Sequence, residues 1–414
     1  MTRLLCGLAA LLLAAAAGAR TLIVHAEGRA IAADGGVRRF AGLLIGDDGR
    51  VAAVLRRGES EPKLGPGDYR LDAEGRTLLP GFIDADAHLM ALGLRLRAFD
   101  LSAATSIADV RQRVRDRAAT TPAAQWIVGR GWNEGAWGGS FPTAADLDAA
   151  APGRPVWLLR AGGDAGWASP AALKAAGIGA GTPDPPGGRI VRGPGGAPTG
   201  ILVGAAMALM PAPAPSAGER EQALAAALKL LGTLGVTGLH DMGTSAADWA
   251  LYRAFGDEGR LSLRITAYAD GMAAMEAIAP LRPTPSLYDG RLRLVGVRLR
   301  ADRSAEVRGA WLRAPYADAP AESGLRLLDD ARMKNLFSRA NFLGFQVAVE
   351  AAGDAAVTQV LDSLAEIRPA YGGKFRNRIE GPILVDPADL PRLKALETIP
   401  VLRPALAAAP VLGQ

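Results

Sequence analysis

The chain has 414 residues, of which 49% are hydrophobic and 21% charged, a composition that excludes disorder and is long enough for one large barrel or two domains. A formal net charge of +5 spread over this length, with no dense Lys/Arg cluster interleaved with aromatics, argues against nucleic acid as a partner. The only cysteine is Cys6, so disulfides and thiolate metal sites are excluded from the body of the chain.

The chain opens with Arg3 ahead of an apolar run that ends in Ala17-Gly18-Ala19, the small-x-small pattern of a secretory cleavage site. Residues 1–19 therefore read as a signal peptide, with Arg20 first in the mature protein. The run is shorter than the roughly 20 residues that a membrane span needs, so export to the periplasm or medium is expected, without a stable membrane anchor.

From 20 to 79 the pattern is short strands and tight turns: Thr21-Leu22-Ile23-Val24, Gly42-Leu43-Leu44-Ile45, a turn at Asp47-Asp48-Gly49, then Val51 to Leu55. His25, just past the first strand, reads as a surface residue. Next comes Leu78 to Met90. Pro80 and Gly81 punctuate its approach, Phe82 and Ile83 are strand-prone, and Asp84, Asp86 and His88 alternate, which puts all three on one side of an extended chain.

A helix with Ser106 as cap and Ile107, Val110 and Val114 on one face follows; its basic residues Arg111, Arg113, Arg115 and Arg117 are interspersed with acids and read as a solvated face. Residues 123–210 break the alternation and read as an insertion. Five of the seven tryptophans lie between 126 and 167, and Trp132 with Asn133 and Glu134 suits either a lid over an apolar substrate or the insertion's own core. From Glu219 onward strands alternate with helices, implying parallel strands at 236–240, 263–268, 294–299, 344–349, 377–380 and 399–402.

Pro80-Gly81-Phe82-Ile83 followed by Asp84-x-Asp86-x-His88 resembles the first barrel strand of the amidohydrolase superfamily, which ends in Asp-x-His-x-His. The insertion carries three further motifs of the exported family 3 branch, nearly verbatim, at Gly129 to Asn133, Phe141 to Asp148 and Thr182 to Ile190. The resemblance implies an α/β fold: a TIM-like (β/α)8 barrel over 80–122 and 211–414, a partial β-sandwich at 20–79 and the insertion at 123–210 above the mouth. With the strand at Gly81 seven strands are counted where a closed barrel has eight, so the eighth is expected to be missing. It also implies hydrolysis of carbon–nitrogen bonds outside peptides by a metal-bound water, with Zn, Mn or Mg as cofactor.

Carried across position by position, the flanks of each motif persist while the chemical residues differ. Asp86 stands for the first histidine and His88 remains. The fourth-strand lysine is Arg298, which cannot be carboxylated. The fifth strand ends in Glu350 in place of histidine, the sixth in Glu380-Gly381 in place of Glu-His, and Asp164 replaces a histidine of the insertion. His240 survives as a positional residue. The retained ligand set is then Asp86, His88, Glu350 and Asp302, oxygen-rich and better suited to Mn or Mg than to Zn. Trp132, Asn133, Asp164 and His240 are the expected substrate-pocket residues. A rival reading makes the chain a non-catalytic ligand-binding barrel, or a decayed copy without metal, in which Arg298 bridges Asp86 and Glu350 where the ion would sit. An open barrel edge would favour a homo-oligomer.

Overall fold

The computed structural model describes residues 19–403, apart from 162, 164, 186, 187, 304, 306–308, 318, 319 and 372–374. The signal-peptide segment and its cleavage point at Ala19 therefore lie almost wholly outside the described residues. The described residues divide into two compact units that part between Phe82 and Ile83.

In the first unit β1 (Thr21–Val24), β2 (Glu27–Ile31), β3 (Val37–Phe40), β4 (Gly42–Ile45), β5 (Val51–Leu55), β6 (Tyr69–Asp72) and β7 (Thr77–Leu78) make two small sheets, in the orders β5-β4-β1-β6 and β3-β2-β7. One face of the four-stranded sheet closes over Leu22, Val24 and Leu44, packed with Ala53, Leu55 and Leu64. His25 sits on the surface, as its position after a strand suggests, with Nδ1 2.8 Å from Asp72.

β8 (Phe82–Ala87) leads into the second unit and is followed by α1 (Leu89–Arg97). The insertion is a six-stranded sheet in the order β13-β14-β12-β11-β10-β9, formed by β9 (Phe99–Asp100), β10 (Ile127–Trp132), β11 (Val156–Arg160), β12 (Ala165–Ala168), β13 (Gly188–Arg192) and β14 (Pro198–Gly204). It begins at Phe99, earlier than the 123 read from sequence, because β9 pairs with β10 and the helix α2 (Ile107–Thr120) buries Val110 and Val114 in the insertion's core. Ser106 caps α2 by accepting from the Asp109 N–H, as the sequence suggests. Two helices, α3 (Ala144–Ala150) and α4 (Pro170–Ala175), complete this layer.

The rest is the barrel: α5 (Ala217–Thr233), β15 (Val236–Thr244), α6 (Ala246–Asp257), β16 (Arg264–Asp270), α7 (Gly271–Ile278), β17 (Leu292–Arg300), α8 (Asp330–Phe342), β18 (Gln346–Glu350), α9 (Asp354–Ile367), β19 (Arg378–Glu380), α10 (Leu390–Ala395) and β20 (Ile399–Val401). Among the described residues the barrel sheet has seven strands in the order β20-β19-β18-β17-β16-β15-β8, parallel from β15 to β20. This is an α/β sheet nearly closed into a barrel. Its strands turn one set of side chains to the helices, where Leu239, Ile265, Ala267, Leu294, Val297, Val347, Val349 and Ile379 join the largest core. The other set points inward, and there Met242, Tyr268 and Ala348 make a small apolar cluster beneath a charged upper layer. The sheet's two ends are tied by side chains: Arg378 Nη2 donates to the Ala85 carbonyl at 2.5 Å, and Arg403 Nε donates to Asp86 at 2.6 Å.

Candidate functional site

The inward alternation of the strands, read through their register, stacks charge at their C-terminal ends. Asp270 pairs in register with Arg298, Arg300 with Glu350, and Glu350 with Glu380. Arg298 donates Nη2 to Glu350 and lies 3.5 Å from Asp270; Arg300 reaches the same two acids at 3.4 and 3.0 Å. Arg403 stands two residues past Val401, the partner of Glu380, and so shares this inner side. Its Nε donates to Asp86 Oδ2 at 2.6 Å and its Nη2 lies 4.0 Å from Glu350. Gly243, at φ 102° in a bulge of β15, makes room for this layer, since a Cβ there would stand 2.8 Å from Arg298 Nη1.

The expected bridge from Arg298 to both Asp86 and Glu350 is not what the structure shows. Arg298 bridges Glu350 to Asp270, and the guanidinium on Asp86 is that of Arg403. Asp270 and Arg300 lie just past the strands read from sequence at 263–268 and 294–299, so neither is legible there as an inward residue. Arg403 follows a strand of only three residues, and the nearly closed sheet alone carries it across to Asp86.

One layer below, Arg378 is buried, donates Nε to Glu380 at 2.6 Å and Nη1 to the Tyr268 hydroxyl at 3.3 Å, and makes a further hydrogen bond to His240 Nδ1. The Tyr268 hydroxyl donates in turn to Gln346. Burial, with Arg378 and Arg293 nearby, pushes His240 down to about 4, so the ring is neutral and accepts from the guanidinium. Burial pushes Glu380 up to about 7 against the pull of Arg378. His240 is a member of this interior network.

The other expected residues fall as follows. Trp132 is fully buried in the insertion core, and its indole N–H donates to the Leu158 carbonyl at 2.8 Å, which leaves no face for a substrate. Asn133 caps a short turn by accepting from the Gly135 N–H at 3.0 Å. Asp164 lies outside the described residues. Asp302 is corrected from metal ligand to loop tie: its buried carboxylate accepts the backbone N–H groups of Trp311, Ala352 and Gly353 at 2.8 to 3.2 Å.

His88 Nδ1 donates to the Met242 carbonyl at 2.6 Å, which turns Nε2 toward the buried, unbonded Asp86 Oδ1 at 3.9 Å. Those two acceptors make one edge of a cation site. The remaining carboxylates are held by arginines, and among the described residues no three His, Cys, Asp or Glu side chains gather closely enough to hold an ion. A divalent metal does not fit this donor set, because guanidinium groups already supply the compensating charge.

A nearly closed (β/α) barrel with its polar residues at the C-terminal mouth defines a class of enzymes that work at that mouth, many of them hydrolases. The amidohydrolase family model matches residues 71–413, and the chain belongs to that family. It is 31% identical over 385 residues to the Arabidopsis thaliana protein LONG AFTER FAR-RED 3, covering 88% of this chain and 65% of that one. It is 27% identical over 374 residues to the N-substituted formamide deformylase of Arthrobacter pascens, covering 87% and 68%. Among solved structures, a metal-dependent hydrolase of Pyrococcus furiosus superposes with a TM-score of 0.74 at 25% identity, over 94% of this chain and 77% of that one. The chain thus spans just under two thirds of the plant relative's length.

Proposed function

We propose that the chain binds a small molecule with an amide-like carbon–nitrogen bond at the barrel mouth, and that metal-assisted hydrolysis, the reaction class of its family, is impaired in it. Family membership supports the substrate class, as does a relative named for deformylating N-substituted formamides. One observation carries the rest: Arg403 Nε lies 2.6 Å from Asp86 Oδ2, at the strand end where the family's first ligands stand. A cation that is part of the chain excludes a second, doubly charged one from the same carboxylate unless the arginine withdraws.

The metal-loaded reading rests on one feature, the unbonded Asp86 Oδ1 facing His88 Nε2. In that reading the oxygen-rich set takes Mn2+ or Mg2+ in preference to Zn2+. A panel of N-formyl, N-acyl, carbamate and cyclic-amide compounds separates the two, each compound assayed for a thermal shift and for amine release with and without Zn2+, Mn2+ and Mg2+. We expect at least one compound class to raise the melting temperature without amine release. Release that depends on added metal establishes the second reading, and a panel with neither shift nor release overturns both.

The leading segment supports export, with cleavage after Ala19. N-terminal sequencing of protein recovered outside the cytoplasm should begin at Arg20; recovery with Met1 intact contradicts it.

A further inference from the structure

Helices α8 and α9 pack side by side on the outside of the barrel wall, and a groove of about 370 Å3 lies between them. Arg298 and Glu350 point to the other side of that wall, into the barrel, so the groove is separate from the mouth. α9 forms its floor. Most of this helix is apolar, with Val357, Val360, Leu361 and Leu364 in the main core, but Gln359 and Ser363 break the run. They stand one helical turn apart on one face of the helix, and both line the groove. The two are only 5 and 2% exposed. Gln359 Nε2 donates to the Leu328 carbonyl and to Asp330 Oδ1, both at 2.8 Å, which fixes the orientation of the amide and leaves its Oε1 buried without a donor. The Ser363 hydroxyl has no hydrogen-bond partner among the described residues. Native interiors leave few buried polar groups unpaired, and two on adjacent turns of one helix face, beside open space, mark a place where a partner fits.

The walls say what kind of partner. The charged groups around the groove neutralise one another: Lys334 lies 2.9 Å from Glu366, Arg326 2.5 Å from Asp330, Arg313 2.7 Å from Asp386 and Arg392 2.5 Å from Asp362. A charged ligand finds no unpaired countercharge there, whereas a neutral one needs none. The β17–α8 loop closes one end with the half-buried Trp311, and the Arg326 guanidinium lies 5.0 Å from the centre of its ring. A wall of indole and guanidinium is flat and suits a planar ring. On the floor, Gln359 Oε1 asks for a donor, and the Ser363 hydroxyl can give its proton to an acceptor.

We propose that the groove between α8 and α9 is a second ligand site, which takes a small, neutral, planar ring carrying an N–H and a carbonyl. Gln359 Oε1 accepts the N–H, the Ser363 hydroxyl donates to the carbonyl, and the ring lies toward Trp311. Entry displaces the Lys334–Glu366 bridge, whose side chains are 31 and 66% exposed. A bridge so open to water contributes little, so its loss does not cancel the two hydrogen bonds gained. The site is independent of whatever the barrel mouth binds.

The test is calorimetric titration of the full chain with uracil, a neutral planar ring of this kind, at about millimolar concentration. Benzene, which lacks the polar edge, and benzoate, which is charged, serve as controls. Uracil should bind saturably and neither control should. Ser363→Ala should weaken uracil binding at least about fivefold with unchanged melting. Ala355→Phe, which puts a ring into the groove, should abolish it; where that variant melts early, Ser363→Ala decides. Absence of saturable uracil binding overturns the proposal and leaves the groove to water. Binding unchanged by Ser363→Ala also overturns it, since uracil is then held elsewhere, and equal affinity for benzene or benzoate overturns the ligand class.

Discussion

Arg403 and Arg298 each hold carboxylates that would otherwise repel one another in a partly desolvated layer. Arg403 is the guanidinium on Asp86, whose side chain is only 6% exposed, so removing it strands buried negative charge; without Arg298, Arg300 still pairs with Glu350 and Asp270, which are 23 and 40% exposed. Arg403→Met should cost about 3 to 5 kcal/mol of stability, and Arg298→Met less, because Arg300 remains on the same two acids, read by urea denaturation. A loss below about 1 kcal/mol for both would show that water or rearrangement neutralises the acids. Beneath them His240 and Glu380 titrate in opposing senses. His240 is lowered from 6.5 to about 4, so its contribution to stability is present above 6.5 and is lost as pH falls through 4. Glu380 is raised from 4.5 to about 7, so its contribution is present below 4.5 and is lost as pH rises through 7. Between about pH 4.5 and 6.5 the two slopes oppose each other. Glu380→Gln should therefore make the urea midpoint rise with pH over that window more steeply than in the wild type, and an unchanged or shallower slope contradicts the assignment.

At the scale of elements, β15 fixes the start of α1. Asp241 is buried, accepts the Leu89 N–H at 2.8 Å, the Thr244 hydroxyl at 2.7 Å and the Tyr252 hydroxyl at 2.9 Å, while the next residue, Met242, accepts from His88. Burial pushes the Asp241 carboxyl up, and these donors pull it back. Asp241→Ala removes the carboxylate that three buried donors share, and about 2 to 4 kcal/mol should be lost. Hydrogen exchange should show the first turn of α1 opening ahead of the barrel core. The edge strand β8, with Ile83 69% exposed, should exchange faster than β16, β17 or β18. Equal protection across the sheet would mean that its edge is covered in solution.

The strands from β15 to β20 were legible in the sequence within a few residues, because each is a short apolar run between helical segments and the helix-facing side is filled by Leu, Ile and Val. The insertion's start was not, since β9 is a two-residue strand that only pairing with β10 defines. Helix α7 carries little signal in the sequence for a related reason: it opens on Gly271 at φ 80°, and its Met- and Ala-rich run has no polar face to mark a period. At the site the substituted positions were readable one by one, as Arg298 and Glu350 show. Which arginine meets which acid was not, because Arg403 and Asp86 are 317 residues apart and meet only when the sheet curls.

For the molecule as a whole, the family supplies a scaffold and this chain's own arginines supply the charge at its mouth. At that mouth guanidinium groups, and not a divalent ion, are placed to balance Asp86 and Glu350. Metal analysis of purified protein combined with melting curves in the presence and absence of a strong chelator tests it most directly. The expected result is far less than one divalent ion per chain and a melting temperature unmoved by chelator or by added Zn2+, Mn2+ or Mg2+, whereas Arg403→Met lowers it. A stoichiometry near one, with a melting temperature that falls on chelation and is indifferent to Arg403→Met, would contradict the claim.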